Sequence, residues 1–222
     1  MRDALTDWEA QEPLSLSIER ISGPEAAPAP TDEELVARAV AIAARLGEYW
    51  LAWDNEFIFT KTANQLDQPR IRPFGAAVSS HYALAEGHGL FLVIDPVGSE
   101  YVGVEVTDPW GVTRPSVDAT GGLNNSQLRL DDDGLLRYWI GPTDPGVHNW
   151  IDTGRLDAGI MVVRWQGGAM RAEGSDAVVD MRHVPLAEAA GLFGAGHAVT
   201  AEERVQQLER RQASFERRLR SA

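Results

Sequence analysis

From residue 31 to residue 57, apolar positions recur at steps of four, three, four, three, four and four: Leu35, Ala39, Ile42, Leu46, Tyr49, Trp53 and Phe57. A period near 3.6 puts them on one side of a helix of about 25 residues. Val36, Val40, Ala43 and Trp50 broaden the stripe, and Glu33, Arg38, Arg45 and Glu48 lie on the polar side. Thr31 is an N-cap residue with Glu34 at the capping-box position, so the helix is expected to start there. The aromatic residues at its C-terminal end have two readings. They anchor the helix on a sheet, or they form a wall for a ligand.

Elsewhere the period is two. Leu14–Ile18 alternates apolar and polar and predicts a half-buried strand, followed by a stiff Pro/Ala linker over residues 23–30. After residue 60 come Ser79–Leu84, Gly89–Ile94, Tyr101–Val106, Gln127–Leu130, Leu135–Ile140 and Ile160–Trp165, separated by Gly, Pro and Asp turns. Gln127–Leu130 and Leu135–Ile140 flank Asp131-Asp132-Asp133-Gly134, which predicts a hairpin. Short strands with no helix between them point to an antiparallel sandwich or barrel. Residues 185–199 are rich in Ala and Gly and fit no pattern. Thr200 and Glu203 open a final helix whose stripe runs through Val205, Leu208, Arg211, Phe215 and Leu219. The expected organisation is a strand, linker and helix over 1–62, a β-domain over 63–184, and an Ala/Gly segment with a basic helix over 185–222. The fold class is mainly β, or α+β by content.

Charge and composition narrow the chemistry. A net charge of −13 over 222 residues repels phosphate backbones and anionic lipid, so neither nucleic acid nor membrane is expected as a partner. The last helix carries a net +2 and the remainder −15, which suggests that this basic arm packs on the body or on a neighbouring subunit; a homo-oligomer is expected. With no cysteine there are no disulfides, thiol nucleophiles or thiolate metal sites. The acidic opening residues do not read as a signal peptide, and a cytoplasmic protein is expected. Dinucleotide, P-loop and α/β-hydrolase motifs are absent. The five histidines have no metal-ligand spacing, so neither cofactor nor metal is expected.

Several motifs fall in a familiar order: His81-Tyr82-x-Leu84; Tyr101-x-x-Val104-x-x-x-Asp108-x-Trp110-Gly111; Leu123-Asn124-x-x-Gln127; Asp131 with Asp133-Gly134; Asp144-Pro145-Gly146-Val147-x-Asn149-Trp150-x-Asp152-Thr153; and Arg164-Trp165. Over residues 78–167 the chain resembles the bacterial family labelled "domain of unknown function 1214". The resemblance implies a jelly-roll-like β-sandwich with a helical extension at each end. It implies no particular reaction.

Candidate chemistry centres on residues 144–153. His148 stands where the family carries a small residue or proline, and imidazole is the natural proton shuttle near neutral pH. His148, His81 and Asp144 are therefore the candidate catalytic groups. Tyr82, Tyr101, Trp110, Asn124, Asn125, Gln127, Asn149, Trp150, Trp53 and Arg114 are candidate substrate contacts. Arg72 and Arg114, each followed by proline, offer guanidinium groups to a carboxylate. The competing account is structural: Asn149 ties down a loop, Trp150 plugs the core, and Asp152 pairs with Arg164. Lys61, the only lysine, reads as a surface cation at a helix end or as a catalytic amine. Aromatic content without cofactor motifs favours a cofactor-independent acid–base lyase acting on a small aromatic or apolar alcohol. The alternatives are a binding protein for an apolar metabolite and a metal-dependent sandwich enzyme.

Overall fold

Thr31 caps α1 (Asp32–Trp53) as the spacing requires: its hydroxyl accepts from the Glu34 amide at 3.3 Å, and the Glu34 carboxylate accepts from the Thr31 amide at 2.8 Å. The computed structural model describes residues 5–7, 9–12, 14–24, 28–72, 75–114, 118–167 and 176–220. After Trp53 the helix widens into one π turn (Asp54–Ile58), then the chain enters two sheets. The strands are β1 (Arg70–Arg72), β2 (Gly75–Ala83), β3 (His88–Ile94), β4 (Tyr101–Thr107), β5 (Gly122–Asn124), β6 (Leu136–Gly141), β7 (Trp150–Asp152), β8 (Ala158–Gln166) and β9 (Val178–Pro185).

One sheet has the order β1-β2-β8-β4-β5 and is antiparallel throughout; the other has the order β7-β6-β3-β9. The chain passes repeatedly from one layer to the other, which makes an α+β sandwich of the jelly-roll-like kind. The β6–β7 pair is parallel, so the second sheet is mixed rather than wholly antiparallel.

The period of two explains the packing. Along β4, Val102, Val104 and Val106 face inward, joined by Met161, Val163 and Trp165 of β8. They meet Leu90, Leu92, Ile94, Tyr138 and Ile140 of the opposite sheet. Full burial of each such side chain is worth about 1.5–3 kcal/mol. On the outer side of the four-stranded sheet, Phe91, Val93 and Trp139 are covered by Val147, Ala189 and Phe193. Residues 185–199 thus gain their structure as a lid: two 3₁₀ turns (Leu186–Leu192 and Ala195–His197) laid on apolar strands.

Three expectations are corrected. Residues 14–18 form no strand, and Leu14, Leu16 and Ile18 are exposed: an alternating pattern makes a strand only when an edge pairs with it, and these residues join neither sheet. The hairpin around residues 131–134 is also absent: Gln127 ends a 3₁₀ turn (Asn125–Gln127), and only Leu136–Gly141 is a strand. Finally, α2 (Ala201–Arg220) docks on the chain's own body through Arg204, Gln207, Arg211 and Ser214 rather than through its apolar stripe. Val205 and Leu219 remain exposed. The reason is polar. Arg204 makes a bidentate pair with Asp144 at 2.9 and 3.0 Å and donates to the carbonyls of Val147 and His148.

Asn149 joins these loops and is fully buried. Its Oδ1 accepts from the Arg129 amide at 2.9 Å, and its Nδ2 donates to the carbonyls of Arg129 (2.8 Å) and Arg137 (3.0 Å). Asn149→Ala strands two donors, the Arg129 amide and the His148 ring N–H, and two carbonyl acceptors, so a loss of roughly 3 kcal/mol or more is expected. Urea denaturation checks this; a loss under about 1 kcal/mol would show that water replaces the amide freely.

Candidate functional site

The five-stranded sheet turns its other face outward. Ala77 and Ser79 of β2, Glu105 and Thr107 of β4, and Ile160, Val162 and Arg164 of β8 form an outer surface in register: Ser79 opposite Val162, Val162 opposite Glu105, and Ile160 opposite Thr107. The C-terminal end of α1 leans over this surface, and between them lies a cavity of about 380 Å³. Tyr49, Trp50, Trp53 and Phe57 form its wall. Trp50 packs edge-on to Trp53 with ring centroids 5.2 Å apart, and Trp53 is 6.0 Å from Phe57. The Trp50 ring rests on Gly111, whose φ of +75° and lack of a side chain let the loop pass beneath; a Cβ there would lie 2.8 Å from the indole.

Two ionisable groups in this cavity are displaced from their ordinary behaviour. Burial raises the Glu105 carboxyl above its usual range, with Arg164 (3.7 Å) opposing the rise. Burial lowers the Lys61 ammonium, with Asp67 (3.8 Å) opposing. The Lys61 amine lies 4.5 Å above the Phe57 ring and donates to the Ser79 carbonyl. A carboxylate made more basic and an ammonium made more acidic, in one ring-lined space, is how proteins assign base and acid roles near neutral pH.

Of the expected contacts, Trp53 lines this cavity. Tyr101, Arg114, Asn124 and Gln127 line a neighbouring cavity of about 120 Å³. The two cavities share Glu105, Thr113 and Arg164, so they are two parts of one groove. The remaining candidates serve the fold, and Asn124 does so as well as lining the smaller cavity. Tyr82 is buried in the core, where desolvation raises its phenol further, and its hydroxyl donates to the Thr107 carbonyl at 3.4 Å. Asn125 accepts from the Val102 amide and donates to the Glu100 carbonyl, each at 3.1 Å. Asn124 caps the 3₁₀ turn and donates to the Thr6 carbonyl at 2.9 Å. Trp150 donates to the Gly141 carbonyl at 2.9 Å under the Arg204 guanidinium, and Trp110 is exposed in a turn held by Asp108. Arg164 pairs with Glu105 rather than with Asp152, whose carboxylate accepts from the Gly154 amide.

The expected catalytic set does not assemble. Asp144 is occupied by Arg204. His81 faces outward on β2, its Nδ1 3.2 Å from the Ile58 carbonyl and its ring against Phe59. His148 lines a third cavity, of about 340 Å³, beneath α2. Its Nδ1 lies 3.0 Å from Asn149 Oδ1, an oxygen that can only accept, so Nδ1 carries the proton. Burial, reinforced by Arg129, Arg204 and Arg210, lowers the His148 pKa and keeps the ring neutral. His81 and His148 share no cavity. The groups that sequence reasoning missed are Glu105, hidden in an ordinary alternating strand, and Lys61, read mainly as a surface cation.

Among the described residues, no group of three His, Asp or Glu side chains is placed to hold a metal ion, and no helix is long and apolar enough to cross a membrane. No family model matches the chain, and no curated protein is similar to it. A solved structure is similar in fold: the crystal structure of a putative uncharacterized protein from Burkholderia cenocepacia, with a TM-score of 0.60 and 23% identity. The match covers 73% of this chain and 47% of that one, so the chain spans about half the length of the protein it resembles.

The position of Glu105 sets a sign. A carboxyl held above its unfolded pKa lends stability that is complete in acid and is lost as pH rises through the folded value. Glu105→Gln should therefore gain stability relative to the parent protein as pH rises above the ordinary carboxylate range. Thermal melts as a function of pH check it; a pH-independent difference would place Glu105 in ordinary solvent.

Proposed function

We propose that the groove is the active site of an acid–base lyase acting on a small aromatic or apolar alcohol. The observation that carries this reading is the joint placement of Glu105 and Lys61, shifted in opposite directions, under the aromatic wall of α1. Aromatic side chains supply a face for a ring and exclude water, which strengthens every charge interaction beside it. In a retro-aldol cleavage, the Glu105 carboxylate takes the proton of the substrate hydroxyl. The oxygen's electrons form a carbonyl as the bond to the carbon alpha to a second, substrate-borne carbonyl breaks; the bonding pair is held as the enolate of that carbonyl, and the Lys61 ammonium protonates its carbon. Arg164 beside Glu105 keeps the carboxylate available as a base. Neither His81 nor His148 has a place in this chemistry.

The test is turnover of a panel of aryl carbinols that carry a ketone beta to the hydroxyl, followed by release of the aryl aldehyde. Glu105→Gln and Lys61→Met should each lower kcat by about 10²-fold or more, the usual worth of a general base or acid. His148→Gln should stay within about threefold of the parent. Tight binding of aromatic alcohols, seen as quenching of Trp50 and Trp53 fluorescence, with no conversion would replace the lyase by the second reading: a binding protein for an apolar metabolite.

We further propose that the protein acts as a homo-oligomer, with a second copy of this chain on α1. Leu35, Val36, Val40, Ile42, Leu46 and Tyr49 are each at least 48% exposed. Together they offer on the order of 300 Å² of apolar surface per copy. At the usual non-polar share, a symmetric helix pair would bury about 1,000 Å² in total, the lower bound of a stable interface. The seam ends at Tyr49 and Trp53, so pairing would also steady the cavity wall. Sedimentation should give a dimer or higher species that Leu46→Arg converts to monomer; a monomeric parent protein would overturn the pairing.

A further inference from the structure

We infer that the substrate of this groove carries a carboxylate on or near its aromatic ring, and that Arg114, Arg164 and Arg211 receive it in the smaller cavity. The inference rests on the proposed reading of the larger cavity as the aromatic site and names the polar half of the ligand.

Three arginines line a space of about 120 Å³ in a protein whose net charge is −13. The arrangement is built rather than incidental. Arg114 reaches into the groove across two glycines: a Cβ on Gly121 would stand 2.5 Å from its Cβ, and one on Gly154 would stand 2.1 Å from its Nε. Gly154 also has a φ of +68°, so the turn favours glycine on two counts. The Arg114 Nε is buried and has no hydrogen-bond partner among the described residues. An orphaned donor on a cation is costly unless something meets it, and a planar carboxylate is the shape that a guanidinium fork holds best. Arg164 stands at the junction of the two cavities, and its 3.7 Å approach to Glu105 leaves room for a second acceptor. Arg211 reaches the same space from α2, where burial lowers its guanidinium to about 10.

The head group of the guest follows from the space: about 120 Å³ with an in-plane guanidinium fork suits a flat carboxylate better than a bulkier tetrahedral phosphate, although charge alone would favour the dianion. The shared residues also fix the layout. With its carboxylate among the arginines, a ligand crosses the Glu105–Arg164 pair and lays its ring against Trp53 and Phe57.

Calorimetry on the whole protein with benzyl alcohol, 4-(hydroxymethyl)benzoate and benzyl phosphate tests this. The benzoate should bind at least tenfold tighter than the alcohol, and more tightly than the phosphate. Arg114→Gln should reduce the benzoate-to-alcohol ratio to within about threefold, with Arg114→Lys intermediate because it keeps the charge without the fork. Arg164→Gln, on the exposed outer face, gives the same readout if the Arg114 variants do not fold. Equal binding of alcohol and benzoate by the parent protein overturns the inference and leaves the aromatic site standing, as does a ratio unchanged in folded variants. Preference for the phosphate overturns the assignment to a carboxylate. Arg114-dependent binding of benzoate together with no lyase turnover on carbinols would overturn the proposed reaction and leave the anion site intact. No binding of any of the three overturns both.

Discussion

The two-residue period of a strand forces β8 to present half its side chains to each side of the sheet, and only one side has a second sheet to meet. Met161, Val163 and Trp165 find the core. Ile160, Val162 and Arg164 are left facing outward over apolar ground that still has to be shielded. The end of α1 supplies that shield, but it stands off the sheet on its tryptophans instead of lying flat. The groove is the space left by this incomplete cover. Its electrostatics have the same origin: partial burial in the groove raises Glu105, and burial against the Phe57 ring lowers Lys61.

The opposite side of the sandwich resolves the same problem differently. There Phe91, Val93 and Trp139 face outward, and the lid of residues 186–197 closes on them completely. Arg204 and Gln207 of α2 then fasten the neighbouring loop at Asp144 and at the His148 carbonyl. The motif-rich segment 144–153, which draws the eye in the sequence, is therefore structural in most of its parts. Asn149 and Trp150 each satisfy backbone carbonyls across loops. Asp144 anchors a helix. His148 is a neutral ring whose proton is directed at Asn149.

A dense cluster of polar residues is thus a poor guide to chemistry when the loops that carry it need internal partners. Buried backbone groups must be paired, and amides and carboxylates near turns are the residues that pair them. The groove draws its groups from positions that look plain: one glutamate in an alternating strand, the single lysine, and arginines beside glycines. Each acquires its character from what lies across the sheet or across the loop, at sequence separations that no local pattern encodes.

Local physics was legible in the sequence wherever the partner lies within a few residues. The capping boxes at Thr31 and Thr200, the full reach of α1 with its aromatic end, and the alternating faces of β2 and β4 all follow from spacing alone, whereas β9 was not legible as a strand. The sandwich follows as well, because short alternating strands separated by turns have few other ways to bury their apolar halves. The tertiary structure decided everything that required a distant partner: the missing pair for residues 14–18, the polar docking of α2, the parallel β6–β7 edge, and the separation of His81 from His148. It also brought Glu105, Lys61 and Arg164 to one groove. Their chemistry depends on burial and neighbours, which a chain possesses only once it is folded.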